Sequence, residues 1–167
     1  VDSVHYDYPS YTGIPDKTVK GTGDLQAVEG TTVTIHATAN QPIDTAVMEM
    51  DADPRQGLRM SVDGKQATVR FRLSMSADDP GRPKHTSYQI RFRDPYGHEN
   101  RRPIRHRIDV IPDRPPEIRF VNPPPKEVQV PENGALPLKI EARDPDFGLR
   151  RVLLKAEREG RSLPIPW

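Results

Sequence analysis

The stretch Thr32-Val33-Thr34-Ile35-His36-Ala37-Thr38-Ala39 decides the fold class. Its apolar residues, Val33, Ile35, Ala37 and Ala39, recur at every second position, with threonine or histidine between them. A period of two places the four on one face of a β-strand; a helix would need spacings of three and four. The same alternation returns over residues 67–73 and 87–93, where Tyr88, Ile90 and Phe92 share a face. Strand-like runs also occupy residues 4–8, 25–29, 45–50, 58–62 and 104–111. For residues 45–50 the pattern leaves two inward sets open, Ala46, Met48 and Met50 or Val47 alone. Turn signals separate the runs: Asp63-Gly64, Asp79-Pro80-Gly81 and Asp94-Pro95-Tyr96-Gly97. Short alternating strands at such intervals predict an all-β fold, a β-sandwich over residues 1–112.

Composition narrows the classes further. The 167 residues hold 19 prolines and no cysteine. Without cysteine there is no disulfide framework, thiolate metal site or cysteine nucleophile. No apolar run reaches the ~18 residues of a membrane-spanning helix. Lys+Arg is 25 against Asp+Glu 24, so net charge argues for no particular polymer partner. Nine prolines lie at or before Pro112 and ten after it. Pro112-Asp113-Arg114-Pro115-Pro116 fixes several φ angles in succession, so residues 113–116 read as a stiff linker.

Residues 117–167 begin a second set of strands, expected at 117–121, 127–130, 136–142 and 149–157. The two halves resemble each other. Val28-Glu29-Gly30 precedes one strand as Glu132-Asn133-Gly134 precedes the other. Ten residues separate Ala37 from Val47, and ten separate Ala142 from Val152. The second copy covers only the opening strands, which predicts a partial second repeat and a chain that is a fragment of a longer tandem-repeat protein.

No catalytic constellation is present. The five histidines show no H-x-x-x-H spacing, and no G-x-S-x-G elbow surrounds a serine. His106 reads as a structural histidine between Ile104 and Ile108. The acid pairs Asp51/Asp53 and Asp78/Asp79 fall in turns, where carboxylates stay solvated and lack the raised pKa of a general acid. The expectation is therefore not an enzyme. The one unusual charge feature is basic. From Arg82 to Arg107 there are eight Lys/Arg against Asp94 and Glu99. On paired strands Arg91, Arg93, Arg105 and Arg107 point outward, with Arg101 and Arg102 at the turn. Arginine forks bind carboxylate, sulfate or phosphate, so an acidic polysaccharide could dock there. Like charges across strands repel, so neighbouring acids or a bound anion must compensate. No aromatics interleave the stripe, so no nucleic-acid partner is expected.

Residues 88–97, Tyr88 through Asp94-Pro95-Tyr96-Gly97, resemble the penultimate strand of bacterial immunoglobulin-like repeats. That resemblance implies a tyrosine-corner hydrogen bond from Tyr88. Residues 8–13 and 143–149 are similar to tandem repeats in large membrane-anchored bacterial proteins. The resemblance implies tandem immunoglobulin-like sandwiches, the second truncated, in a periplasmic or cell-surface arm. Its partners would be another protein or neighbouring repeats of the same chain. Pro131-Glu132-Asn133-Gly134 followed by residues 140–146 resembles a cadherin repeat. That second resemblance implies calcium as a cofactor, with Glu132, Asp144 and Asp146 as ligands; otherwise no cofactor is expected. Against it, the linker sets Arg114 beside Asp113, and the first repeat has Asn40-Gln41-Pro42 in place of Asp-Pro-Asp. The other reading of Asp144-Pro145-Asp146 is an Asx-type turn.

Overall fold

The structure, a computed structural model, describes residues 1–122, 127–129, 133–158 and 160–163. They are nearly all β and fall into two compact units, Val1–Asp113 and Arg114–Trp167. No helix among the described residues is long and apolar enough to cross a membrane.

The first unit contains ten strands: β1 (Ser3–Asp7), β2 (Lys17–Lys20), β3 (Leu25–Val28), β4 (Thr32–Thr38), β5 (Thr45–Met50), β6 (Gly57–Arg59), β7 (Ser61–Asp63), β8 (Gln66–Arg72), β9 (Ser87–Arg93) and β10 (Arg105–Ile111). They form two five-stranded sheets, ordered β2-β1-β4-β8-β7 and β3-β10-β9-β5-β6, in a sandwich-like arrangement. Every pairing is antiparallel except β3 with β10. The core lies between the sheets. Val33, Ile35 and Ala37 are buried from β4, Ala67 and Val69 from β8, Tyr88 and Ile90 from β9, and Ile108 and Val110 from β10.

Strand β5 resolves the ambiguous register. Ala46, Met48 and Met50 are all buried inward, while Val47 is half-buried on the other face. The expected single strand over residues 58–62 is instead two. Gly57–Arg59 pair with β5, Ser61–Asp63 pair with β8, and the buried Met60 lies between. The chain therefore changes sheets at Met60. Gly64, at φ 59°, then closes the expected hairpin into β8.

The N-terminal segment also crosses between sheets, from β2 to β3 through residues 21–24. Here the structure corrects the tyrosine-corner expectation. The Tyr88 hydroxyl donates to the backbone carbonyl of Gly23 at 2.5 Å, 65 residues upstream rather than at a local corner. Tyr88 is fully buried, and burial pushes its phenol well above the ordinary value. The His106 ring lies against Tyr88, centroids 5.1 Å apart, with Nδ1 3.7 Å from the Asp24 carboxylate. Burial lowers the His106 pKa. A Cβ on Gly23 would stand 2.5 Å from the His106 ring, so only glycine fits. Ile104, expected to flank His106 inward, lies exposed ahead of β10.

The second unit is less covered. β11 (Glu117–Asn122) pairs with β12 (Lys139–Arg143), and β13 (Ala156–Arg158) with β14 (Arg161–Leu163). All of β11 is exposed, including Ile118 and Phe120, as are Leu136, Leu138 and Leu153. The expected strand over 136–142 forms only from Lys139, and that over 149–157 only from Ala156. Residues 127–129 are not strand, and Val130 lies outside the described residues. The spacing match between the halves is thus not matched in strand content, because Val152 lies outside any strand whereas Val47 is in β5.

Two substitutions separate fit from polarity. Gly23→Ala is expected to lower stability by about 2 kcal/mol through overpacking against His106. Thr31 is fully buried, and its hydroxyl oxygen has no hydrogen-bond partner. Thr31→Val removes that desolvated hydroxyl and is expected to raise stability by about 1 kcal/mol. Thermal melts of both variants beside the parent chain check the two signs.

Candidate functional site

The outer face of the β3-β10-β9-β5-β6 sheet carries the basic stripe. Register sets Arg105 opposite Gln89 and Arg107 opposite Ser87, while Arg91 and Arg93 face Val47 and Thr45 on β5. The arginines of β9 and β10 are therefore offset along the strands, and no two stand directly opposite each other.

Acids compensate part of this charge. Glu49 of β5 lies on this face yet is only 4% exposed. Arg91 donates to it from Nε at 2.8 Å and from Nη2 at 3.2 Å, and Gln89 donates from Nε2 at 2.7 Å. The Arg91 fork holds the Glu49 carboxyl below its ordinary range, against the opposing effect of burial. Arg91 also approaches Glu99 at 3.6 Å. Arg105 donates from Nε to the Ser87 hydroxyl at 2.9 Å, and Arg107 lies 4.0 Å from Asp109. Arg93, Arg101 and Arg102 are exposed and form no ion pair among the described residues. Arg105 also has no ion pair among the described residues, so the free cationic charge sits at the β9–β10 turn and at the strand residues Arg93 and Arg105.

Two further carboxylates, both placed by turns, bind neighbouring segments. Asp51 and Ala52 have φ of 51° and 60°, and Asp53 N–H closes a tight turn on the Met50 carbonyl at 2.8 Å. That left-handed pair costs about 1–2 kcal/mol per residue without glycine. It aims the Asp51 carboxylate at residues 85–87. Asp51 accepts from His85 Nδ1, Thr86 N–H and Thr86 Oγ1 at 2.9–3.0 Å, and from Ser87 N–H at 3.1 Å. Burial alone would raise the Asp51 pKa; the donors from Thr86, His85 and Ser87 outweigh it and lower it. At the opposite end, buried Asp94 accepts from Tyr96 N–H, His98 N–H, His98 Nδ1 and Gln41 Nε2. Burial again opposes and the donors prevail, so Asp94 is also lowered. An ionised carboxylate only accepts, so Nδ1 of both His85 and His98 carries the proton. Sequence reading placed Asp51 and Asp94 in turns and took turn acids to be solvated. The pairing of Asp51 with His85, 34 residues on, has no signal in local spacing, whereas Asp94 and His98 stand four apart in one turn.

The residues implied by the cadherin resemblance are differently employed. Asp144 Oδ1 accepts from the N–H groups of Asp146 and Phe147, an Asx-type turn. Both Asp146 oxygens bind Arg114, at 2.8 Å to Nη2 and 3.1 Å to Nε, and the Arg114 hydrogen bonds hold the Asp146 carboxyl low. A cation at Asp146 would have to displace that guanidinium. Glu132 lies outside the described residues. No group of three or more potential metal ligands occurs among the described residues.

No protein-family model, curated protein or solved structure matches the chain.

The depressed carboxyls predict an acid-sensitive fold. Their unfolded forms take protons at the ordinary values, 3.8 for Asp51 and Asp94 and 4.5 for Glu49, before the folded forms do. Their contribution to stability is therefore complete above pH ~5 and is lost as pH falls from those values through the lower folded ones. Denaturant unfolding between pH 7 and pH 3 is expected to show this decline. Asp51→Asn is expected to be less stable at pH 7 and to show a shallower decline.

Proposed function

We propose that the chain is a non-catalytic β-sandwich module of a larger exported bacterial protein, acting outside the cytoplasm as a spacer or protein-interaction arm. The observation that carries this reading is how its low-titrating acids are used. Glu49 and Asp51 each accept two or more donors from other segments, Asp94 accepts three from its own turn and one from Gln41, and all three titrate low. A general acid at neutral pH needs the opposite shift and an unspent oxygen. These acids instead tie strands and turns together, which suits a module that must hold a shape.

Strand order supports the finer assignment to an immunoglobulin-like sandwich. In that fold strands A, B, E and D form one sheet, and C, F and G the other, with C′ added in some members. The run β1-β4-β8-β7 follows the first order, and β10-β9-β5-β6 follows G-F-C-C′. The alternative, an acidic-glycan binder, rests on Arg93, Arg101, Arg102 and Arg105, because Arg91 is committed to Glu49 and Arg107 lies beside Asp109.

Alkaline phosphatase fused in frame within the parent gene, just after the first unit, tests the location. The enzyme is active only when exported, so activity in intact cells is expected. A fusion that is produced but inactive, with all of the protein in the cytoplasmic fraction, overturns the extracytoplasmic reading.

A further inference from the structure

The strand change at Met60 leaves half of one sheet edge open. β7 pairs with β8 only at residues 66–68. Beyond Thr68, β8 continues to Arg72 with β4 on one side and, among the described residues, no strand on the other. The direction of its main-chain groups follows from the end of the ladder. Leu73 N–H donates to the Thr31 carbonyl, and Leu73 C=O accepts from Gly30 N–H, both at 2.9 Å. Direction alternates along an antiparallel strand. Phe71 and Val69 therefore also bond toward β4, while Arg70 and Arg72 turn their N–H and C=O groups outward, where no strand among the described residues meets them.

Beside this edge the core is unfilled. A cleft of ≈ 410 Å³ opens between the sheets, lined by Met50, Leu58, Phe71, Leu73, Ile108 and Val110. Phe71 points inward on β8 like Val69 yet stays partly exposed, and Leu58 is exposed. The cleft has an apolar wall flanked by Gln56, Arg72, Ser74, Lys84 and His85, and the outer face beside it is cationic. Arg70 and Arg72 project there, Arg70 with Nη2 3.0 Å from the Asp7 carboxylate, a surface pair that an incoming acid would share, and Arg72 with its guanidinium over Gly30. Exposed Lys84 also lines the cleft and has no ion pair among the described residues.

We propose that the open half of the β8 edge binds an extended peptide segment of a partner protein by strand addition. The added strand would exchange main-chain hydrogen bonds with Arg70 and Arg72. Its inward side chains, apolar, would enter the cleft between Phe71 and Leu58. Its outward side chains, acidic, would lie beside Arg70 and Arg72. Free backbone donors and acceptors supply affinity for any extended chain; the cleft and the arginines select alternating apolar and acidic residues. The two arginines also keep the edge from pairing with a second copy of itself, since like charges would oppose each other. The proposal rests on the interaction-arm reading. Its failure would leave the spacer role and the export result untouched.

The test uses the 167-residue chain and a fluorescein-labelled, blocked hexapeptide alternating glutamate and valine, with a control peptide methylated at every amide nitrogen. Anisotropy at low salt is expected to show saturable binding of the first peptide only. Amide exchange by NMR is expected to be fast at Arg70 and Arg72 in the free protein and slowed by the peptide, with Phe71 unchanged. Leu58→Trp, which fills the cleft mouth from an exposed position, is expected to weaken binding about tenfold without lowering the melting temperature. Equal binding of the methylated peptide, no saturable binding, or Arg70 and Arg72 amides already protected in the free chain would each overturn the proposal.

Discussion

The hydroxyl of Tyr88, donated to the carbonyl of Gly23, is the constraint on which the first unit depends. The first strands could otherwise all join one sheet, since β1 and β2 form a hairpin alongside β4. The bond fixes where the chain leaves that sheet. Two residues later β3 begins its parallel pairing with β10, Leu25 facing Ile108. Both sheets are thereby tied to the N-terminal segment. A buried phenol left without an acceptor would lose about 1–3 kcal/mol, so the crossing and the burial of Tyr88 enforce each other. Gly23 and His106 complete the joint: the ring fills the space that a Cβ would need.

The same logic runs through the polar residues at both ends of the sandwich. A turn carboxylate captures the donors of an approaching segment. Asp51 secures the entry to β9, and Asp94 closes the turn that leaves it. β9 is thus anchored at both ends by acids, and the intervening Gln89 and Arg91 close over Glu49. A buried charge pair adds little net stability over an apolar substitute. What it supplies is register, because a shift of β9 by one residue would strand Glu49 without its donors.

The fold class was legible because alternation survives wherever one face is buried. Residues 32–38, 66–72 and 87–93 lie in strands that bury the faces the pattern assigned. Three features were not legible, each for a physical reason. The sheet change at Met60 is hidden because an apolar residue at that point looks the same in one strand as in two. β2 is missing from the pattern because Lys17–Lys20 is an exposed edge strand with only Val19 half-buried. In the second unit, alternation at Leu136, Leu138, Ile140 and Ala142 overstated the strand, because no neighbouring strand among the described residues buries its first half. Of the candidate site, the arginines and their need for acidic neighbours were legible. Glu49 was not singled out, since a glutamate among apolar residues reads as exposed unless its cross-strand partners are known.

The sheet change at Met60 also explains why one side of the sandwich is incompletely sealed. A single strand cannot pair along its full length with both sheets, so each receives only three residues of it. Where residues 57–59 serve β5, the far half of β8 goes without. Lengthening β7 would cover that half, but residues 57–59 would then leave β5, and Glu49 would lose the strand that flanks it. Sealing the edge and burying Glu49 thus compete for the same short segment. In this chain the burial of Glu49 prevails, and the open edge beside Phe71 is its structural consequence.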